Sequence, residues 1–266
     1  MTQPIILSIA GSDNTGGAGI QADIKTCCAF RSYAATVITG VTAQNCYGVY
    51  GVEPVSMSML DAQIDAIFQV MTPGAVKTGM LPSPEIIVRV AEKMQEYEVK
   101  NLIIDPVMVA TNGGNLIPPG KQTINAFRES LMPIASIITP NVKEASALLG
   151  KEVKNADPLK TCREIIATTR AKAVLLKGGH SDNPEIAIDY LYDGDTLTPF
   201  ASKRIDTENT HGTGCTLSSA IACGLANGMT LTEAVSQAKA FISKAIESAK
   251  DLKISKGPGM LDFFAS

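Results

Sequence analysis

The feature that most constrains this chain is an alternation. Short apolar runs of strand length are each followed by a polar or glycine-containing turn and then by a segment of helical period. Residues 4–10 form a continuous apolar run ending at Gly11, as expected of a strand buried on both faces. After a glycine-rich turn, Ile20, Ile24, Cys27 and Cys28 recur at helical spacing. Residues 34–43 then read as a strand, 59–71 as an amphipathic helix, 75–78 as a strand, 85–97 as a helix and 101–105 as a strand. Further strands are expected at 137–139 and 173–176, with a helix at 159–170 between them. Residues 182–204 read as a small antiparallel excursion turning at Asp193-Gly194-Asp195. Helices over 216–226 and 231–249 close the pattern, the second with Ala234, Val235, Ala238, Ile242 and Ala245 on one stripe. Such an order predicts an α/β fold whose mainly parallel sheet is covered by helices on both faces. Ligands of these sheets bind beyond the carboxyl ends of the strands, so polar residues just after strands are the candidates for chemistry. No repeat or linker divides the chain, and residues 1–266 are expected to form one domain.

Charge and cysteine usage exclude several functions. A net charge of −3 gives no case for nucleic acid or for an anionic membrane surface, so an anionic substrate must be held by local groups. No stretch reaches the roughly 18 apolar residues of a spanning helix. The first residues, MTQPIILSIAGS, lack a basic segment and read as a strand rather than a signal peptide. Six cysteines without a CxxC pair, and only two histidines, give no zinc pattern. Reduced thiols and a cytoplasmic location are expected.

The strongest local signal is Asn209-Thr210-His211-Gly212-Thr213-Gly214-Cys215, which runs directly into a patterned helix. Gly212 and Gly214 let the backbone turn tightly and expose successive N–H groups, and Thr213 lies between them at the positive end of the helix. That is an anion hole of the kind phosphoryl transfer needs, although a glycine-rich loop before a core helix would read the same. Cys215 falls in the first turn, where a thiol pKa tends to drop; inert packing is the alternative. The spacing is not that of a P-loop.

The first turn, from Gly11 to Gly19, does not match a dinucleotide fingerprint, and Gly11 is better read as part of a small-substrate pocket wall. Asp23, on the following helix, is placed within reach of that pocket, or else is a solvated helix charge. Asn141 with Glu144 three residues on spells a capping box, which is compatible with Glu144 also orienting a hydrated Mg²⁺. Asp105 ends a strand and either faces phosphates or caps the turn before Pro106. Lys177, before Gly178 and Gly179, is placed to hold an ATP phosphate as a point charge, or is a solvated strand end; His180 reads as a surface-loop residue.

Seven segments in register resemble the hydroxymethylpyrimidine/phosphomethylpyrimidine kinase family of the ribokinase-like superfamily. They are AGSDNTGGAGIQADIKT at 10–26, TAQN at 42–45, KTGML at 77–81, DPVM at 105–108, ITPN with Glu144 at 138–144, LKGGH at 176–180 and NTHGTGCTLSSAIA at 209–222. The resemblance implies a three-layer α/β/α sandwich with a mainly parallel central sheet, commonly dimeric. It also implies transfer of phosphate from ATP-Mg²⁺ to the hydroxymethylpyrimidine precursor of thiamine and then to its monophosphate. On the family's motifs, Gln44 meets the aminopyrimidine edge, Met80 and Val107 line the pocket, and Asp23 lies near the substrate hydroxyl. Gly212, Thr213 and Gly214 form the anion hole; Asp105, Asn141, Glu144 and Lys177 serve nucleotide and Mg²⁺, with Lys239 a further candidate. Cys215 stands where sugar kinases of the superfamily carry an Asp base, which leaves its role open between proton removal and positioning. With the chain ending at Ser266, no fused thiamine phosphate synthase module is expected. The nearest rival is a pyridoxal, pyridoxine or pyridoxamine kinase, disfavoured because a pyridine ring lacks the edge that the Gln44 amide recognises. A non-catalytic vitamin-precursor sensor and a nicotinamide oxidoreductase are the rivals of other classes.

Overall fold

The computed structural model describes residues 3–108, 120–153, 157–178 and 184–265. Gly179 and His180 lie outside them. One sheet of nine strands runs through the molecule in the order β3-β2-β1-β4-β5-β6-β7-β8-β9. The strands are β1 (Ile5–Asp13), β2 (Tyr33–Asn45), β3 (Gly48–Pro54), β4 (Ala75–Thr78), β5 (Leu102–Ile104), β6 (Ile137–Ile138), β7 (Val174–Leu176), β8 (Ile186–Tyr192) and β9 (Leu197–Lys203). From β2 to β7 the neighbours pair in parallel, and β3, β8 and β9 add antiparallel edges. The helices are α1 (Gly19–Ala29), α2 (Met57–Phe68), α3 (Pro84–Glu96), α4 (Lys121–Ala126), α5 (Val142–Leu149), α6 (Pro158–Thr169), α7 (Thr213–Ala226) and α8 (Leu231–Ala249).

The parallel strands read as unbroken apolar runs because their alternate residues enter two cores. Leu7, Val76 and Ile104 pack with α2, α3, α5 and α6 on one face. Ile6, Ile103 and Leu175 pack with α1, α7 and α8 on the other. That sorting produces the three layers. Among the described residues no helix is long and apolar enough to cross a membrane.

Local sequence sets most of the boundaries. Ser83, Thr230 and Asn141 cap α3, α8 and α5, the last two through complete capping boxes with Glu233 and Glu144. The structure departs from expectation at three places. β1 runs on to Asp13, past an irregularity after Ala10, because Ser12 and Asp13 pair with Val41 and Thr42 of the lengthened β2. β3 was not expected, since its glycines and mixed polarity hide a strand that lies at the sheet edge with little burial. α4, which continues as a π-helical turn at Phe127–Leu131, was not expected either.

Candidate active site

The carboxyl ends of β1, β4, β5, β6 and β7 open on one cleft of about 620 Å³, flanked by α7 and α8. One end of it is built for anions. At the start of α7, Gly212 holds φ +87°, and a Cβ there would collide with the carbonyl oxygen of Gly17. Only glycine lets the two glycine-rich loops touch at this point. A Cβ on Gly214 would stand 3.3 Å from both Asp105 Oδ2 and Lys177 Nζ, so the bare helix end faces this ion pair directly.

Lys177 Nζ donates to Asp105 Oδ1 at 2.9 Å and lies 3.8 Å from Glu144 Oε2. Burial alone would lower the Lys177 pKa, but Asp105 and Glu144 outweigh it and hold the ammonium charged. Thr139 Oγ1 also donates to Asp105 Oδ1, at 3.1 Å, while buried Asp105 Oδ2 has no partner among the described residues. Glu144 Oε2 accepts the Asn141 N–H at 2.8 Å and Asn141 Oδ1 accepts the Glu144 N–H at 2.9 Å. Burial pushes the Glu144 carboxyl up to about 7; Lys177 opposes this and Asp105 adds to it. Across the cleft, Lys239 Nζ of α8 donates to Asp189 Oδ2 of β8 at 2.6 Å. Asp189 Oδ1 accepts the Gly178 N–H at 2.8 Å.

The other end suits a small flat ring. Gly11, Met80 and Val107 supply the walls, and Gly11 lies against the Met80 side chain. Gln44 lines the same end, 6% exposed, with Oε1 buried and unpartnered. Its backbone is fixed by a bond from Gln44 N to Asn14 Oδ1 at 2.8 Å. An unpaired amide oxygen in a closed, mostly apolar site costs about 1–3 kcal/mol unless a ligand fills it.

A family model described as phosphomethylpyrimidine kinase matches residues 13–262. The chain belongs to that family. A hydroxymethylpyrimidine/phosphomethylpyrimidine kinase of Rhizobium meliloti (strain 1021) is 48% identical over 98% of this chain and 97% of its own. Among solved structures, an ADP complex of Bacillus subtilis pyridoxal kinase superposes with TM-score 0.89 at 37% identity, covering 99% of this chain and 98% of that one. A phosphomethylpyrimidine kinase from Clostridium difficile 630 superposes with TM-score 0.80 at 40% identity, covering 92% and 100%. The fold is ribokinase-like and the chain is a phosphotransferase.

The structure of this kinase brings Gly11, Gln44, Met80, Asp105, Val107, Asn141, Glu144, Lys177, Gly212, Thr213, Gly214, Cys215 and Lys239 to one cleft. Asp23 is not among them. It is neither at the pocket nor solvated: it is 0% exposed and ion-paired to Lys77 beneath the cleft, because α1 turns this face into the sheet. The expectation of a lowered thiol pKa at Cys215 is also corrected. Burial pushes the thiol up to about 11, and the pull of Lys77 and the Gly19 N–H does not offset it.

Sequence reading missed four groups of this kinase. His211 Nε2 bonds Asp13 Oδ2 at 2.8 Å, joining the two glycine-rich loops. Burial raises the Asp13 pKa, but bonds from His211 and from the N–H and Oγ1 of Thr15 outweigh it and hold the carboxyl well below the carboxylate range. Asp189, which anchors Lys239, sits in a β-hairpin with no motif of its own. Lys77 did leave a signal: a cation in the four-residue buried strand Ala75–Thr78 must have a buried partner.

Proposed function

We propose that this kinase transfers the γ-phosphoryl group of ATP to the hydroxymethyl group of 4-amino-5-hydroxymethyl-2-methylpyrimidine, and then phosphorylates the monophosphate to the diphosphate used in thiamine biosynthesis. The observation that carries this reading is the sharing of one cleft by an unpartnered buried amide oxygen on Gln44 and a bare helix end beside the Lys177–Asp105 pair. Gln44 Oε1 accepts from an exocyclic amino group and so orients the ring, while Gly11, Met80 and Val107 sandwich it. The N–H groups of Gly212, Gly214 and Cys215 face the charge that develops on the transferred group, while the Thr213 N–H closes the turn onto the Thr210 carbonyl oxygen. Lys177 and Lys239 present point charges to phosphates, steered by Asp105 and Asp189. A bound nucleotide is supported by the relation to the Bacillus subtilis enzyme solved with ADP.

Asp105 Oδ2, a buried carboxylate oxygen without a partner, together with Glu144, fits a magnesium ion held largely by water and phosphate oxygens. The ion would neutralise charge on the phosphates there. With a thiol pKa of about 11, Cys215 enters the reaction as a thiol. It positions the hydroxyl, and a loose phosphoryl-transfer transition state needs little base strength. Exposed Val41, Tyr47 and Tyr50 on the β2–β3 ribbon support a homodimer through that edge. Six cysteines outside any disulfide support a reducing, cytoplasmic setting.

The deciding experiment is ATP-dependent phosphorylation by the purified chain, with the hydroxymethylpyrimidine and pyridoxal run side by side and products resolved by mass. Mono- and diphosphate from the pyrimidine, with pyridoxal slow or inert, is the expected outcome. Faster turnover of pyridoxal would transfer the assignment to vitamin B6 chemistry.

A further inference from the structure

Directly under the start of α7 lies an ion pair that lines no part of the cleft. Lys77 of β4 and Asp23 of α1 are both 0% exposed. Lys77 Nζ donates to Asp23 Oδ1 at 2.8 Å and to Oδ2 at 2.9 Å. Ser219 Oγ of α7 donates to Oδ1 at 2.7 Å, and Ser8 Oγ of β1 to Oδ2 at 2.5 Å. Four elements thus meet on one carboxylate. Ser219 stands four residues after Cys215, so both side chains fall on one face of α7 a single turn apart. Gly79, next along from β4, leads straight to Met80 in the pocket wall; a Cβ on it would stand 3.0 Å from Lys77 Nζ.

Stability does not explain why these residues are charged. Moving two ions out of water costs several kcal/mol each, and replacing a buried pair by apolar residues of like volume is often neutral or stabilising. β4's parallel partners in this layer are apolar, Ile6, Leu7 and Ile9 on β1 and Leu102 to Ile104 on β5, except for Ser8, which lies beside Lys77 and itself bonds Asp23. What the pair adds is a fixed field. Burial is the main force on the Cys215 thiol; among charges, the downward pull of Lys77 exceeds the upward push of Asp23. The cationic end of the pair therefore dominates at the helix end.

We infer that Lys77 is a positioning residue for phosphoryl transfer, its ammonium locked by Asp23, Ser8 and Ser219 so that a positive potential stands beneath the Gly212–Cys215 turn. The inference rests on the proposed function, because that turn is taken to face the transferred phosphoryl group. A charge held at fixed distance in a dry site needs no reorganisation as the reaction proceeds.

The test is the charge-neutral double variant Lys77→Met/Asp23→Asn, in which the Asn keeps bonds to both serines and the Met fills the lysine stem. The expected result is a urea midpoint close to wild type, a kcat about tenfold lower, and both KM values within about twofold of wild type. A folded double variant with wild-type kcat would overturn the inference. A second arm needs no substrate: Cys215 in the double variant is alkylated by iodoacetamide at pH 8 about threefold more slowly than in the wild type, and equal or faster alkylation also overturns it. If the double variant does not fold, Ser219→Ala keeps both charges but frees Asp23 of one anchor. It is expected to lower kcat about threefold at unchanged KM, and an unchanged kcat overturns the inference. A wild-type chain that phosphorylates no pyrimidine would instead sink the assigned reaction, leaving the alkylation arm to judge the charge.

Discussion

Two lysine–aspartate pairs stand at the carboxyl ends of parallel strands in this kinase, and they are built in opposite ways. Lys77–Asp23 is sealed, and both carboxylate oxygens are met by serine and lysine. Lys177–Asp105 borders the cleft, and Asp105 Oδ2 has no hydrogen-bond partner among the described residues. A satisfied buried pair has no reason to bind a ligand, whereas an unsatisfied one carries a desolvation cost that a ligand removes. The same two residue types therefore do different work: one pair fixes a frame and a field, the other waits for a partner. Gly214 separates the two, with its backbone close to Asp105 and its neighbour Cys215 within the field of Lys77.

The largest effect that would test this contrast is on folding. Lys77→Met leaves Asp23 charged and unpaired in the core, and its unfolding free energy in urea is expected to fall by about 3–5 kcal/mol. Asp105→Asn keeps the oxygen that Thr139 and Lys177 use, so it should unfold like the wild type. Its kcat/KM for ATP is expected to drop about 100-fold. Equal stability losses in the two variants would erase the distinction.

A smaller effect concerns the thiol between the two pairs. With its pKa pushed up to about 11, Cys215 is protonated throughout the neutral range. Its alkylation by iodoacetamide at pH 8 is expected to run about 20-fold slower than that of a free cysteine, the scarcity of thiolate being partly offset by its stronger nucleophilicity. The rate should climb about tenfold per pH unit from 8 to 10; a flat profile would mean that the site stabilises the thiolate. Smallest of all, Gln44→Leu is expected to raise the pyrimidine KM about tenfold with the ATP KM unmoved. Because Oε1 has no partner among the described residues, that variant should be no less stable than the wild type.

The contrast also marks how far the sequence can be read. The helix at Leu231–Ala249 is found to the residue from its Ala/Ile stripe, and the structure adds a Thr230–Glu233 capping box at the same start. The cleft residues of the α7 turn and of β5 to β7 are legible for a related reason: parallel sheets put strand ends together whatever lies between them. Asp23 was misplaced because its helix has a weak stripe, with Ile24 and Cys28 facing outward while the charged residue faces in. Its partner is 54 residues away, and no local pattern encodes a pairing at that distance. Asp189 escaped in the same way, standing 50 residues from Lys239, the candidate that it holds. For Cys215 the helix end was visible and the burial was not, and burial decided the sign of the shift.

The bonds between the first and last thirds of the chain have a further consequence, for the order in which the molecule is made. His211 meets Asp13 across 198 residues, and Ser219 meets Asp23 across 196. A ribosome releases β1 and α1 long before α7 exists, so the early segments wait with a carboxylate half satisfied and one face of the sheet bare. Closing loops of that length costs entropy before any of these contacts returns it. The Gly212–Cys215 turn therefore assembles among the final steps, and a truncated chain that lacks α7 has neither that side of the cleft nor a complete second core.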